Sequence, residues 1–433
     1  MMGNRSGIGR ATGVSATLCC VLLVLFTASC DLNNLLDVDA ASRIPASELD
    51  NPASATLLLN GAIGDFECAF GSYVVLSGMV GEELMDATQT ADRWPYERRA
   101  TKSNDARYAT FGCTALGVYT PMSTARWAAE NVLRKLEGWT DAEVPDRQRM
   151  IATAAAYSGY AHVILAEGFC SGVLLDPSLT PTGEVDRTAM NARAIERFNQ
   201  AIETLTPLPE SAAKTDLLNM ARVGLARALL NNGDGAAAAT AAAQVTTDYV
   251  KHASASTSFT RRENRVVRDN NTSNSTSIGP EYRNFQHMGL PDPRVPVTDL
   301  DRTATDGTPL FVQDKYEALN TPLPLATWEE AQLIIAEASG GLAAVNIINA
   351  LHSRAGLPPF VSVSESEIQA HIIQERRAEL FLEGHHLGDA IRYSIQLSPA
   401  VGTPYPKGGA YENQVCLPLP DIERLNNPLI SSM

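Results

Sequence analysis

The chain has 433 residues, with 34 lysines and arginines against 49 aspartates and glutamates, a net charge of −15. So acidic a surface argues against nucleic acid as a partner and against a polybasic membrane contact. Its length exceeds what one compact core usually holds, a limit that stacked helical repeats escape because each repeat touches only its neighbours.

At the N-terminus Arg5 and Arg10 precede a short apolar run at 18–26, too short to span a bilayer, and the first acidic residue is Asp31. Thr27-Ala28-Ser29-Cys30 then resembles the lipobox of bacterial lipoprotein signal peptides, with Thr27 where leucine is usual. That resemblance implies a signal peptide at 1–29 and a diacylated (palmitate-type) Cys30 as the first mature residue. Cys19 and Cys20 are poorer candidates, since Leu18 and Cys19 would occupy the small-residue position. The alternative is an ordinary cleaved signal peptide with an incidental cysteine.

The mature chain from residue 30 reads as a single domain. Residues 31–51 are a polar tether. Asn51 caps a helix opened by Pro52, whose apolar face is Ala55, Leu58, Leu59 and Ala62, over about 52–63. Residues 64–115 look irregular and hold Trp94, Tyr96, Tyr108 and Phe111 among charged and polar side chains. Helical signals dominate from about 120 to 250: 125–136 with Trp127, Val132 and Leu136 available to a core, then 151–169, 193–205, 217–230 and 236–245. The last two, separated by Asn231-Asn232-Gly233-Asp234-Gly235, look like a tetratricopeptide (TPR) hairpin, with small residues where paired helices touch.

Residues 250–325 are rich in serine, asparagine and proline and read as long loops with a few short strands; they contain Tyr282 and Phe285. Loops of that length are usually functional or disordered. Helices resume at Thr327, a capping residue ahead of Glu329 and Glu330, and continue to about 395. Four cysteines follow Cys30, at 68, 113, 170 and 416, and allow three pairings; Cys68 with Cys113 is preferred because both flank one loop-rich region. The absence of a CxxC pair gives no support to a zinc ribbon or thioredoxin-type motif.

The stretch 375–392, ERRAELFLEGHHLGDAIR, has the look of one amphipathic helix, with Glu375, Glu379 and Glu383 on one face. Gly384 costs about 1 kcal/mol inside a helix, which points to close packing or to a break between two helices. His385 and Asp389 have the one-turn spacing of metal ligands, but HExxH is absent. The favoured reading is structural: Glu375, Arg376, Glu379, Glu383, Gly384, Asp389 and Arg392 pair with neighbours and helix ends, with no metal and no cofactor.

The pattern E-R-R-x-E-L-x-x-E-G-x-x-x-x-D-x-x-R resembles the C-terminal signature of the SusD/RagB family, departing at His386, where arginine is usual. Trp328 to Ala338, the Asp292-Pro293-Arg294 element and Leu417-Pro418-Leu419-Pro420 resemble further elements of that family. The resemblance implies a mostly α fold of TPR-like helical hairpins, an α–α superhelix with long loops. It implies an outer-membrane, surface-exposed lipoprotein that captures a nutrient, most often a glycan and in some members a peptide. It also implies delivery to a SusC-like TonB-dependent transporter, with no catalytic residues. The expected ligand face is the two irregular regions, with Trp94, Tyr96, Tyr108, Tyr282 and Phe285 as candidate contacts. The competing readings are a secreted glycan hydrolase, which needs two carboxylates roughly 5 to 9 Å apart, and a TPR-type protein-interaction scaffold.

Overall fold

The computed structural model describes residues 49–430; the expected signal peptide and Cys30 lie outside the described residues. From Asn51 onward the chain forms one compact unit. Its spine is helix α1, Ala55–Val80, entered through a 3₁₀ turn at Pro52–Ser54 that Asn51 caps by accepting from the Ser54 amide. From Ala69 to Val80 every residue of α1 is buried. The helix is apolar on all sides, long enough to cross a membrane by composition, and spends that surface on the protein core. This overturns the expected irregularity of residues 64–80: α1 runs seventeen residues past the expected end at 63, Gly64, Gly71 and Gly78 included.

Short helices follow at Trp94–Glu97 (α2) and Ala106–Thr110 (α3), then α4 (Tyr119–Gly138), α5 (Arg147–Gly168), α6 (Arg187–Leu205), α7 (Ala212–Asn231) and α8 (Gly235–Ala242). After the loop-rich stretch come α9 (Trp328–Ser339), α10 (Gly341–Ala355), α11 (Glu365–Glu379), α12 (His386–Arg392) and α13 (Asp421–Asn426). From α4 to α8 each helix packs on the next, α8 packs on α9, and α9 on α10 and α11. This is a stack of helical pairs, the arrangement expected for mostly α TPR-like hairpins.

Local chemistry sets the starts. Asp186, Ser211, Asp234 and Thr327 each accept a hydrogen bond from the amide three residues on, supplying a partner to a first-turn donor. Small residues set the spacing. The ring of Phe198 on α6 fills the room left by Gly159 on α5 and Gly224 on α7, where an added Cβ would stand 2.7 and 2.3 Å from ring carbons. Trp127 departs from its expected place in the core. Ala125, Ala129, Val132, Leu133 and Leu136 form the buried stripe of α4, and Trp127 falls off it, 46% exposed.

Strands come in antiparallel pairs. Leu84–Asp86 (β1) pairs with Thr276–Ile278 (β5), Ser171–Leu175 (β2) with Pro181–Asp186 (β3), and Val250–Ala253 (β4) with Leu323–Thr327 (β10). Gln286–His287 (β6) pairs with Leu290–Pro291 (β7), and Val297–Thr303 (β8) with Pro309–Gln313 (β9). Disulfides join Cys68 of α1 to Cys113, and Cys170 after α5 to Cys416 in the C-terminal extended segment.

Candidate functional site

The 375–392 stretch is two helices, not one. α11 ends at Glu379, a turn follows, and α12 begins at His386. Gly384 takes a left-handed φ of 80°, and a Cβ there would stand 3.3 Å from Tyr73 and Val74 of α1. Break and close approach therefore coincide.

The charges of this segment are paired. Arg294 donates to Asp292 at 2.7 Å, to Glu375 at 2.7 Å and to Glu379 at 2.9 Å. Lys315 donates to Glu383 at 2.7 Å. Asp389 accepts from Arg376 at 2.8 Å and Arg392 at 2.7 Å, and Arg392 also meets Glu337. Burial pushes the Glu375 carboxyl up, but hydrogen bonds from His352 and Arg294 outweigh it and hold it at about 2. Burial likewise opposes ionisation of Asp389, and its two arginines win, leaving it below the usual range. His385 lies 3.3 Å from Arg227 and 3.9 Å from Glu330, so it and Asp389 have separate partners. His386, in the place where the family resemblance leads one to expect arginine, reaches Glu82 at 3.5 Å and sets its ring edge-on to Tyr282.

The two irregular regions do meet. β1 pairs with β5; Gln89 donates to the Thr305 carbonyl at 2.7 Å; Arg93 and Asp269 form an ion pair at 3.4 Å. A third stretch, 398–412, joins them. Buried Glu97 accepts from the Asp86 amide and from the Tyr405 and Tyr411 hydroxyls, and Lys407 bridges Asp86 and Asp306 at 2.6 Å each. Burial raises the Glu97 carboxyl above its ordinary value.

Trp94 sits at this junction, half-buried, with its ring edge-on to Tyr405 at 6.4 Å. Its indole Nε1–H has no hydrogen-bond partner among the described residues. From the next residue, Pro95, begins the lining of a cleft of about 460 Å³, completed by Arg98, Lys102, Asn104, Asp105 and Arg107 among others.

The other expected contacts divide. Tyr96, Tyr108 and Tyr282 are at most 2% exposed and belong to the core. The Tyr96 hydroxyl donates to the Leu116 carbonyl at 2.6 Å, and that of Tyr108 to the Pro418 carbonyl at 3.1 Å. Tyr282 lies between Phe285 and Phe381, with Arg377 4.8 Å over its ring. Their hydroxyls find partners at loop carbonyls and charged side chains, which is why such rings stand in polar-looking sequence while being buried. Phe285 is half-buried against Tyr282. Of the five, Trp94 is the one half-buried against the 398–412 segment, through Tyr405.

A larger cleft, about 510 Å³, lies outside the expected regions, lined by Tyr119, Ser123, Thr124, Trp127, Glu423 and Asn426 among others. The sequence makes Trp127 available to a core; its position off the α4 apolar stripe is the signal that it stands outside instead.

The sequence model of the SusD family matches residues 317–416, which include both α11 and α12 but not their partners Asp292, Arg294 and Lys315. No curated protein sequence matches the chain. Among solved structures, a SusD superfamily protein from Bacteroides vulgatus superposes with a TM-score of 0.68 at 15% identity, covering 88% of this chain and 98% of its own. A SusD-like carbohydrate binding protein from the same organism gives 0.64 at 17% identity, over 88% and 97%. A laminarin binding SusD-like protein gives 0.63 at 17% identity, over 88% and 98%. The stretch 317–416, with α11 and α12 inside it, thus matches the SusD family in sequence, and the chain as a whole has the fold of SusD superfamily proteins.

Proposed function

We propose that this protein is a lipid-anchored, surface-exposed outer-membrane lipoprotein that captures a glycan and delivers it to a SusC-like TonB-dependent transporter. The observation that carries the capture reading is the convergence of two irregular regions and the 398–412 segment on Trp94, beside an open cleft of charged and amide side chains. A half-buried aromatic ring close to charged and amide side chains, carried on loops that a helical stack positions, is the mixture that binds a sugar without chemistry. The names of two structural neighbours, carbohydrate binding and laminarin binding, support the same ligand class. The anchor reading is supported by the 18–30 sequence order, and delivery by the family resemblance.

The larger Trp127 cleft gives a second reading, in which the exposed indole of α4 is the sugar platform. Isothermal titration with a panel of oligosaccharides, laminarin fragments included, separates the two. Trp94→Ala is expected to weaken binding five- to tenfold, the loss of roughly 1 to 1.4 kcal/mol of stacking, while Trp127→Ala leaves it unchanged. The reverse pattern assigns the site to α4. Binding of peptides in place of every sugar changes the ligand class. Appearance of new reducing ends from any polymer in the panel overturns the non-catalytic reading.

A further inference from the structure

Three of the chain's seven histidines gather away from the Trp94 junction. His287 belongs to the small β6–β7 hairpin, His352 to the last turn of α10, and His371 to α11, one turn before Glu375. Their ligand nitrogens lie within 4.8 Å of one another. His287 and His352 are buried, and the His371 side chain is 14% exposed.

From the ordering of this cluster we infer that the protein carries a divalent transition-metal site, with Zn²⁺ as the natural occupant, built from His287, His352, His371 and Glu375. Three imidazoles with one carboxylate are a borderline donor set that suits zinc in four-coordination. The orientation is already provided. The Pro358 carbonyl accepts from His352 Nδ1 at 2.9 Å and from His287 Nε2 at 3.2 Å. A carbonyl can only accept, so both nitrogens carry protons and the opposite nitrogen of each ring is the one that ligates, the usual outer-shell device of metal histidines. His352 Nε2 stands 2.6 Å from Glu375 Oε1, and His371 Nε2 stands 3.5 Å from the same oxygen.

His371 Nε2 makes no hydrogen bond among the described residues although its atom is buried. Its ring is held by stacking on Phe360 at 3.9 Å. Glu375 is fixed in turn by Arg294. Ligand atoms around zinc stand roughly 3.3 to 3.5 Å apart when bonds are about 2.0 to 2.1 Å, so a small rotation of the rings closes the set. On binding, the ion replaces the proton between His352 Nε2 and Glu375 Oε1, and that proton leaves to solvent. The consequence is mechanical. The hairpin, whose Met288 and Leu290 are exposed, becomes stapled to α10 and α11.

The test uses the full mature chain, freed of affinity tag and treated with a chelator, titrated with Zn²⁺ alone. One equivalent is expected to bind at submicromolar concentration and to raise the melting temperature. His287→Gln and His371→Gln are each expected to weaken binding at least thirtyfold while keeping the near-ultraviolet circular dichroism of the parent. His252→Gln, an exposed histidine outside the cluster, is expected to bind as the parent does. Anomalous scattering at the zinc edge should place the ion among the four side chains. Absence of binding by the parent, or equal binding by His287→Gln and His371→Gln, overturns the site. Neither result bears on glycan capture at Trp94.

Discussion

Arg294 is the residue on which the motif network turns. It donates to three carboxylates, Asp292, Glu375 and Glu379, with side-chain exposures of 1%, 2% and 18%. Arg294→Ala strands buried negative charge and is expected to cost about 3 to 5 kcal/mol, read from urea unfolding. If Arg294→Ala unfolds at the parent's midpoint, the network is not what holds α11. The same pairing fixes a pH dependence. Glu375 is lowered from 4.5 to about 2, so its contribution is present above pH 4.5 and is lost as pH falls toward 2. The acid limb of the parent's stability curve should therefore be steeper there than that of Glu375→Gln. This network was legible as a pattern: glutamates spaced by four among arginines pointed to ion pairing. Its main partner was not legible, because Arg294 lies 81 residues before Glu375 and joins it only through the fold.

Among the elements, those with period and caps could be read directly. Thr327, with two glutamates behind it, starts α9, and the Asn231–Gly235 turn separates α7 from α8. The continuation of α1 beyond 63 could not, since from Ala69 to Val80 it is buried on every side and has no amphipathic period, and its glycines resemble breaks. The aromatic loops failed for a related reason. Composition shows that Tyr96, Tyr108 and Tyr282 stand among polar residues, but only tertiary contact shows that their hydroxyls reach partners from inside. Gly384 belongs to this scale as the joint between α11 and α12. Gly384→Ala imposes a left-handed strain of roughly 1 to 2 kcal/mol and sets a Cβ against Tyr73 and Val74. A drop of at least that size is expected in thermal or urea unfolding, with ligand binding by the folded fraction retained. An unchanged midpoint would show that the joint relaxes freely.

For the whole molecule, the stack of helical pairs leaves outside it the 84–115 loops, the 250–325 stretch and the 398–412 segment, the parts we propose for recognition. The anchor is tested separately. Cys30→Ala is expected to move the protein from the membrane fraction to the soluble fraction, and mass spectrometry of the native protein should show a lipid-modified Cys30. An unmodified Cys30 in the native host would sink the anchor. Capture at the Trp94 junction is tested most directly by the crystal structure of the protein with the oligosaccharide that binds it in titration. A sugar ring packed on Trp94, with hydrogen bonds from neighbours such as Gln89 or Arg107, is the result this account predicts. Sugar density confined to the Trp127 cleft, or no glycan bound by any member of the panel, would contradict it.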